Sequence, residues 1–120
     1  MAFLRAIQRK KRHERLRKKL VGTTERPRLS VYRSNLNLSA QIVDDYEGKT
    51  LLSGSTLESA FRSKEKTGAN LEAAKRFGHF LAEKLQKKGV KKIVFDRGGY
   101  AYHGRIKAFA DSLREKGIEF

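Results

Sequence analysis

The chain contains no cysteine and a single proline in its 120 residues. Without cysteine there can be no disulfide framework and no thiolate zinc site. Acidic residues are scarce as well: 13 Asp and Glu face 28 Lys and Arg, a formal net charge of +15. A stable small domain needs no such excess, so the imbalance implies an anionic partner. Long apolar runs are also missing. The longest span only a few residues, against the roughly 20 that a membrane-crossing helix requires. Residues 1–28 lack the apolar core of about 7–15 residues that a signal peptide carries. The expectation is an intracellular, non-membrane protein of one domain, cytoplasmic by default, with part of the chain outside the core because only 38% of residues are hydrophobic.

The positive charge is concentrated at the front. Met1–Arg28 holds eleven Lys and Arg against Glu14 and Glu25, a net of +9, and the other 92 residues carry +6. The densest part includes Arg9, Lys10, Lys11, Arg12, Arg15, Arg17, Lys18 and Lys19. Its few apolar residues make no core-facing stripe, and like charges at helical neighbour spacing repel. Residues 1–25 therefore read as a basic nucleic-acid-binding arm, partly disordered or helical, that orders against a polyanion. Gly22-Thr23-Thr24 is a linker, and residues 26–120 form a single α/β domain entered at Pro27.

From Arg28 the pattern has period two. Leu29–Arg33, Leu38–Val43 and Thr50–Ser53 read as three strands, with turns at Ser34–Asn37 and Asp44–Gly48. Short turns make them an antiparallel meander. Residues 55–68 are polar and read as a mobile loop anchored by Phe61. Asn70 suits an N-cap, and Leu71, Ala74, Phe77, Leu81 and Leu85 line one face of a helix that ends at Gly89. Val90–Phe95 reads as a fourth strand, parallel to a partner because a helix intervenes. A last helix runs from about Gly104 to Lys116 and stops at Gly117, with Ile118 and Phe120 folding back on the core. The predicted architecture is a small mixed sheet, a three-strand antiparallel meander plus one parallel strand, covered by two helices.

Between the fourth strand and the last helix lies Asp96–Arg105, with three glycines, two tyrosines, two arginines and a histidine. Glycine allows close backbone approach, while guanidinium and aromatic rings suit phosphates and unstacked bases. Arg97, Gly98, Gly99, Tyr100, Tyr102, His103, Gly104 and Arg105 are the candidate polyanion-binding loop, joined by Arg33, Ser34 and Asn35 at the first hairpin tip, whose guanidinium, hydroxyl and amide can contact phosphate or sugar. Catalysis has little support. There is no phosphate-binding G-x-x-x-x-G-K-[ST] loop and no nucleophile motif. His13, His79 and His103 lack metal-ligand spacing, and no cofactor is expected. The alternative from another class is a magnesium-dependent nuclease of ribonuclease-H-like fold using Asp44 and Asp96. Arg97, next to Asp96, is expected to neutralise it.

Three stretches together resemble a known family. These are Glu25–Ser34, Ala40–Asp45, and Val94–Ala108 with its Asp96-Arg97-Gly98-Gly99-Tyr100 core. They resemble bacterial ribosomal protein L-eighteen, the large-subunit protein that binds 5S ribosomal RNA. The likeness extends over essentially the whole chain, through the basic arm to Gly117-Ile118-Glu119-Phe120. It implies a small α/β fold, no enzymatic activity, and a structural role in attaching 5S rRNA to the large-subunit rRNA in the central protuberance. It also implies neighbouring ribosomal proteins as partners, a monomer when free, and RNA contacts at Arg26, Arg28 and Lys107, which lie in the matching motifs. The sequence departs from the family pattern at Leu36-Asn37-Leu38-Ser39, where basic and aromatic residues are common.

Overall fold

A computed structural model describes residues 2–17, 21–23, 25–62 and 70–120. The elements in chain order are α1 (Ala2–Arg17), β1 (Arg28–Arg33), β2 (Leu38–Asp44), β3 (Lys49–Ser55), α2 (Ser59–Arg62), α3 (Leu71–Lys87), β4 (Val94–Asp96) and α4 (Gly104–Glu115). The strands form one sheet in the order β3-β2-β1-β4. β1 pairs antiparallel with β2, placing Leu29 opposite Ile42 and Val31 opposite Ala40. β2 pairs antiparallel with β3, with a bulge-like irregularity at Ile42/Val43. β4 runs parallel to β1, Leu29 opposite Phe95. The expected mixed sheet is therefore present, with the crossover through α3 supplying the parallel neighbour.

Alternation along the strands decides which face closes. Leu29, Val31, Leu38, Ala40 and Ile42 are all buried beneath the helices, whereas Tyr32 and Gln41 between them are exposed. α3 and α4 supply the other half of the core through Ala74, Phe77, Leu81 and Leu85 and through Ile106, Phe109 and Leu113. The two helices meet closely at Gly78, where an added Cβ would lie 2.5 Å from Ser112 Cβ and 2.8 Å from the Phe109 carbonyl oxygen. Phe77 and Phe109 stack across this crossing with ring centroids 5.2 Å apart, and Phe95 joins them to Phe120. Asn70 caps α3 as expected, its side chain accepting from the Ala73 amide at 2.8 Å.

The fourth strand is shorter than its apolar run. Val94–Asp96 alone joins β1, because the preceding backbone is taken by the C-terminus: Glu119 N donates to Lys91 O and Ile93 N donates to Glu119 O. This pairing seats Ile118 in the core and Phe120 against Phe95. Part of the segment read as loop is the short helix α2, where Phe61 is buried edge-on against Phe77. Residues 63–69 of that segment lie outside the described residues.

Candidate nucleic-acid interface

The chain Asp96–Arg105 begins on a buried carboxylate. Asp96 is fully buried and accepts from three partners. Arg28 Nη1 lies at 2.9 Å, His13 Nε2 at 3.1 Å and the Gly98 amide at 3.0 Å. Arg28 also grips Asp45 through two bonds, Nε to Oδ2 at 3.1 Å and Nη2 to Oδ1 at 3.2 Å. Burial depresses the Arg28 pKa, but hydrogen bonds and charge from Asp45 and then Asp96 more than reverse this, so it is raised overall. Arg28, rather than the adjacent Arg97, neutralises Asp96. The reason is register: Arg28 and Asp96 lie on neighbouring parallel strands with side chains on the same face, while Arg97 has already turned away into the loop.

That node docks α1 on the loop. Arg9 Nη1 donates to Gly98 O and Arg12 Nε to Gly99 O, both at 3.0 Å, beside the His13–Asp96 contact. The helix backbone comes so close that a Cβ on Gly99 would lie 2.4 Å from Arg9 O and 2.9 Å from His13 N. Gly99 also has φ +78°, a conformation that glycine adopts without strain. Gly98 and Gly99 are thus buried under the arm, and Tyr100 packs into the core with its hydroxyl donating to Arg33 O and accepting from Arg33 N. Both Arg9 and Arg33 lie over the Tyr100 ring, 4.7 and 5.0 Å from its centroid.

The neighbouring hairpin tip completes the cluster. Ser34 Oγ closes the turn with Asn37, and Asn35 is exposed. Arg105 Nη2 donates to Ser34 O at 2.6 Å, while its Nη1 is buried with no partner. Burial and, secondarily, the charge of Arg33 lower the Arg105 pKa. Among the described residues, neither arginine forms an ion pair with a carboxylate. The structure therefore brings Arg9, Arg33, Ser34, Tyr100 and Arg105 together around one end of β1, with Arg97 half-exposed beside them.

The other candidates are distributed more widely. Lys10, Lys11 and Arg15 are exposed on α1, and the side chain of Arg17 and all of Lys18 and Lys19 lie outside the described residues. Arg26 is exposed and pairs loosely with Glu119 at 3.7 Å. Tyr102 accepts from Arg114 through its hydroxyl, His103 is exposed at the start of α4, and Gly104 follows it with φ +60°. Lys107 points outward and pairs with Asp111 one turn on. The two carboxylates considered for metal chemistry are engaged elsewhere: Asp44 accepts from the Tyr46 and Glu47 amides, and Asp96 serves the node. Among the described residues no group of three or more His, Cys, Asp or Glu could hold a metal ion, and no helix is long and apolar enough to cross a membrane. Sequence reading missed His13 and Asp96 as the docking pair, since 83 residues separate them and nothing local signals the contact.

A small α/β domain with a basic helix docked on it, where arginines converge with no carboxylate partner among the described residues, has the features expected of the class of polyanion-binding proteins. The chain matches the family model described as ribosomal L18 of archaea, bacteria, mitochondria and chloroplast, over residues 3–120. It is 55% identical over 112 residues to "Large ribosomal subunit protein uL18" of Dictyoglomus thermophilum, covering 93% of this chain and 92% of that protein. It is 56% identical over 113 residues to the protein of the same name from Thermotoga petrophila, covering 94% and 93%. The protein of that name from Clostridium botulinum is 54% identical over 116 residues, covering 97% and 95%. The chain belongs to the ribosomal L18 family. It is a structural, non-enzymatic constituent of the ribosome.

Proposed function

We propose that this protein sits in the large ribosomal subunit, binds 5S rRNA, and helps attach it to the large-subunit rRNA in the central protuberance beside neighbouring ribosomal proteins. The observation that carries the reading is the Arg33–Arg105 pair. Two guanidinium groups lie close enough for one to depress the other's pKa, and among the described residues no carboxylate pairs with either. RNA phosphates would supply that missing charge, as bidentate acceptors that suit guanidinium geometry. The exposed Lys10, Lys11 and Arg15 of α1 extend the same field. Arg28, Gly98 and Gly99 support this surface from beneath: Arg28 fixes Asp96, and the two glycines admit α1.

The test is equilibrium binding of the full chain to 5S rRNA and to a structured RNA of similar length. A one-to-one complex with preference for 5S rRNA, weakened by Arg33→Ala and Arg105→Ala, supports the reading. Equal affinity for both RNAs would remove 5S rRNA as the partner.

A further inference from the structure

The loop from Asp96 to Arg105 is firmly tied in its first half and sparsely in its second. The Asp96 carboxylate, α1 and the Tyr100 hydroxyl hold it as far as Tyr100. Beyond that point Ala101, His103 and Gly104 are exposed, and His103 stands at the N-cap of α4 without a side-chain capping bond. Tyr102 is the residue of this segment that packs against the core. Its hydroxyl accepts from Arg114 Nη1 at 3.2 Å, 12 residues further on at the other end of α4. How Tyr102 is held therefore decides how the chain enters α4. Arg105, in the first turn of that helix, takes its place against Ser34 O from this entry.

Arg114 has a support of its own. Its guanidinium carbon lies 4.2 Å from the centroid of the Phe120 ring, and its Nη2 donates to Phe120 O at 3.4 Å. Phe120 in turn stacks on Phe95, with centroids 5.2 Å apart and planes at 25°. Phe95 is the β4 residue immediately before Asp96. The four side chains thus connect the start of the loop, through the tail and α4, to the last anchored residue of the loop. Backbone bonds fix the tail itself. Ile118 N donates to Leu113 O, Glu119 N donates to Lys91 O, and Glu119 O accepts from Ile93 N. Among the described residues no carboxylate pairs with Arg114, while the adjacent Glu115 takes His79. An exposed arginine ordinarily loses rotamer freedom when it holds one pose. Here the Phe120 ring and carbonyl hold the guanidinium beforehand, so the bond to Tyr102 is preorganised.

We propose that Arg114 is a positioning residue for RNA recognition: braced on Phe120, it holds Tyr102 and so sets where the end of the loop presents Arg105 to a phosphate. This inference rests on the RNA-binding reading above and adds residues that act on RNA through others. Through Phe120, the tail that pairs with Lys91 and Ile93 also governs the loop. The competing role for Arg114 is a direct phosphate contact, and the two roles differ in salt dependence. A lost phosphate contact lowers the log–log salt slope by about 1. A lost brace lowers the fraction of free chain whose loop is in the binding pose, while the complex keeps its phosphate contacts. Affinity then falls in proportion to that fraction and the slope stays the same.

The test uses the full chain, 5S rRNA as probe, and the variants Tyr102→Phe, Arg114→Ala, the two combined, and Phe120→Leu. Tyr102→Phe removes the hydroxyl and keeps the packed ring. Phe120→Leu removes the ring under Arg114, keeps an apolar side chain and changes no charge. Dissociation constants are measured over a salt series, well below the melting temperature of every variant. Each single variant is expected to bind about threefold to tenfold more weakly, with an unchanged salt slope. The combined variant should bind no more weakly than the weaker of its two singles, because both remove the same brace. Full affinity in Arg114→Ala or Phe120→Leu overturns the positioning role alone. So does a slope lowered by about 1 in Arg114→Ala, or losses that add in the combined variant. An unmodified chain that fails to bind 5S rRNA overturns the functional reading and this inference with it.

Discussion

Asp96→Ala removes the carboxylate on which the arm, β1 and the loop converge. Three bonds go at once: to Arg28 at 2.9 Å, to His13 at 3.1 Å and to the Gly98 amide at 3.0 Å. Arg28 is then left with Asp45 alone, at a side chain only 11% exposed. Breaking a buried ion pair by removing one partner costs about 3–5 kcal/mol, and the remaining bidentate contact to Asp45 puts this case near 3. The Gly98 amide adds about 1 kcal/mol. At about 4 °C per kcal/mol for a domain of this size, the melting temperature should fall by roughly 12–16 °C. Asp96→Asn keeps an acceptor for Gly98 and should fall by less. Because the Arg28 pKa is raised in the folded state, its contribution is fully present below the unfolded value and is lost only in strongly alkaline solution. The difference between the variants and the unmodified chain should therefore persist through neutral pH. Thermal melts by circular dichroism without RNA provide the measurement. Asp96→Ala melting within about 2 °C of the unmodified chain would refute the node.

Three further outcomes are expected. Gly99→Ala drives a methyl group into the α1 backbone, so α1 should leave the loop, with lower helix content and weaker RNA binding; unchanged helicity and affinity would mean that the docking is dispensable. Lys11→Ala should reduce the log–log salt slope of RNA binding by about 1, as for one lost phosphate contact, and an unchanged slope would make Lys11 a bystander. Arg105→Ala should weaken 5S rRNA binding by about tenfold to a hundredfold, the value of a charge-assisted hydrogen bond. Its melting point should fall only slightly, because the lost bond to Ser34 O is offset by removing the like charge beside Arg33 and the unpartnered buried nitrogen. Early melting with normal binding would make it a structural residue.

Much of the fold could be read from local patterns because local chemistry determines it. The alternation of Leu29, Val31, Leu38, Ala40 and Ile42 gives the buried face, and the spacing from Ala74 to Leu85 together with Asn70 and Gly89 gives α3 and its ends. The parallel placement of β4 follows from the helix before it. The length of β4 was not readable, since Lys91–Ile93 has strand character but pairs with Glu119, a partner chosen by the tail's return to the core. The glycines of the loop could be recognised as sites of close approach, but not what approaches them: Arg9 and Arg12 reach Gly98 and Gly99 across 89 and 87 residues. Arg28 reads as a cation at the edge of a motif, and only the strand register reveals it as the partner of Asp96.

The most direct test of the account is the footprint of the full chain on 5S rRNA, read by backbone cleavage and by 2′-hydroxyl acylation on the same complex. The account predicts a contiguous protected duplex, with phosphate protections that disappear in Arg33→Ala and Arg105→Ala. A 5S rRNA whose cleavage and acylation patterns are the same with and without the protein would contradict it.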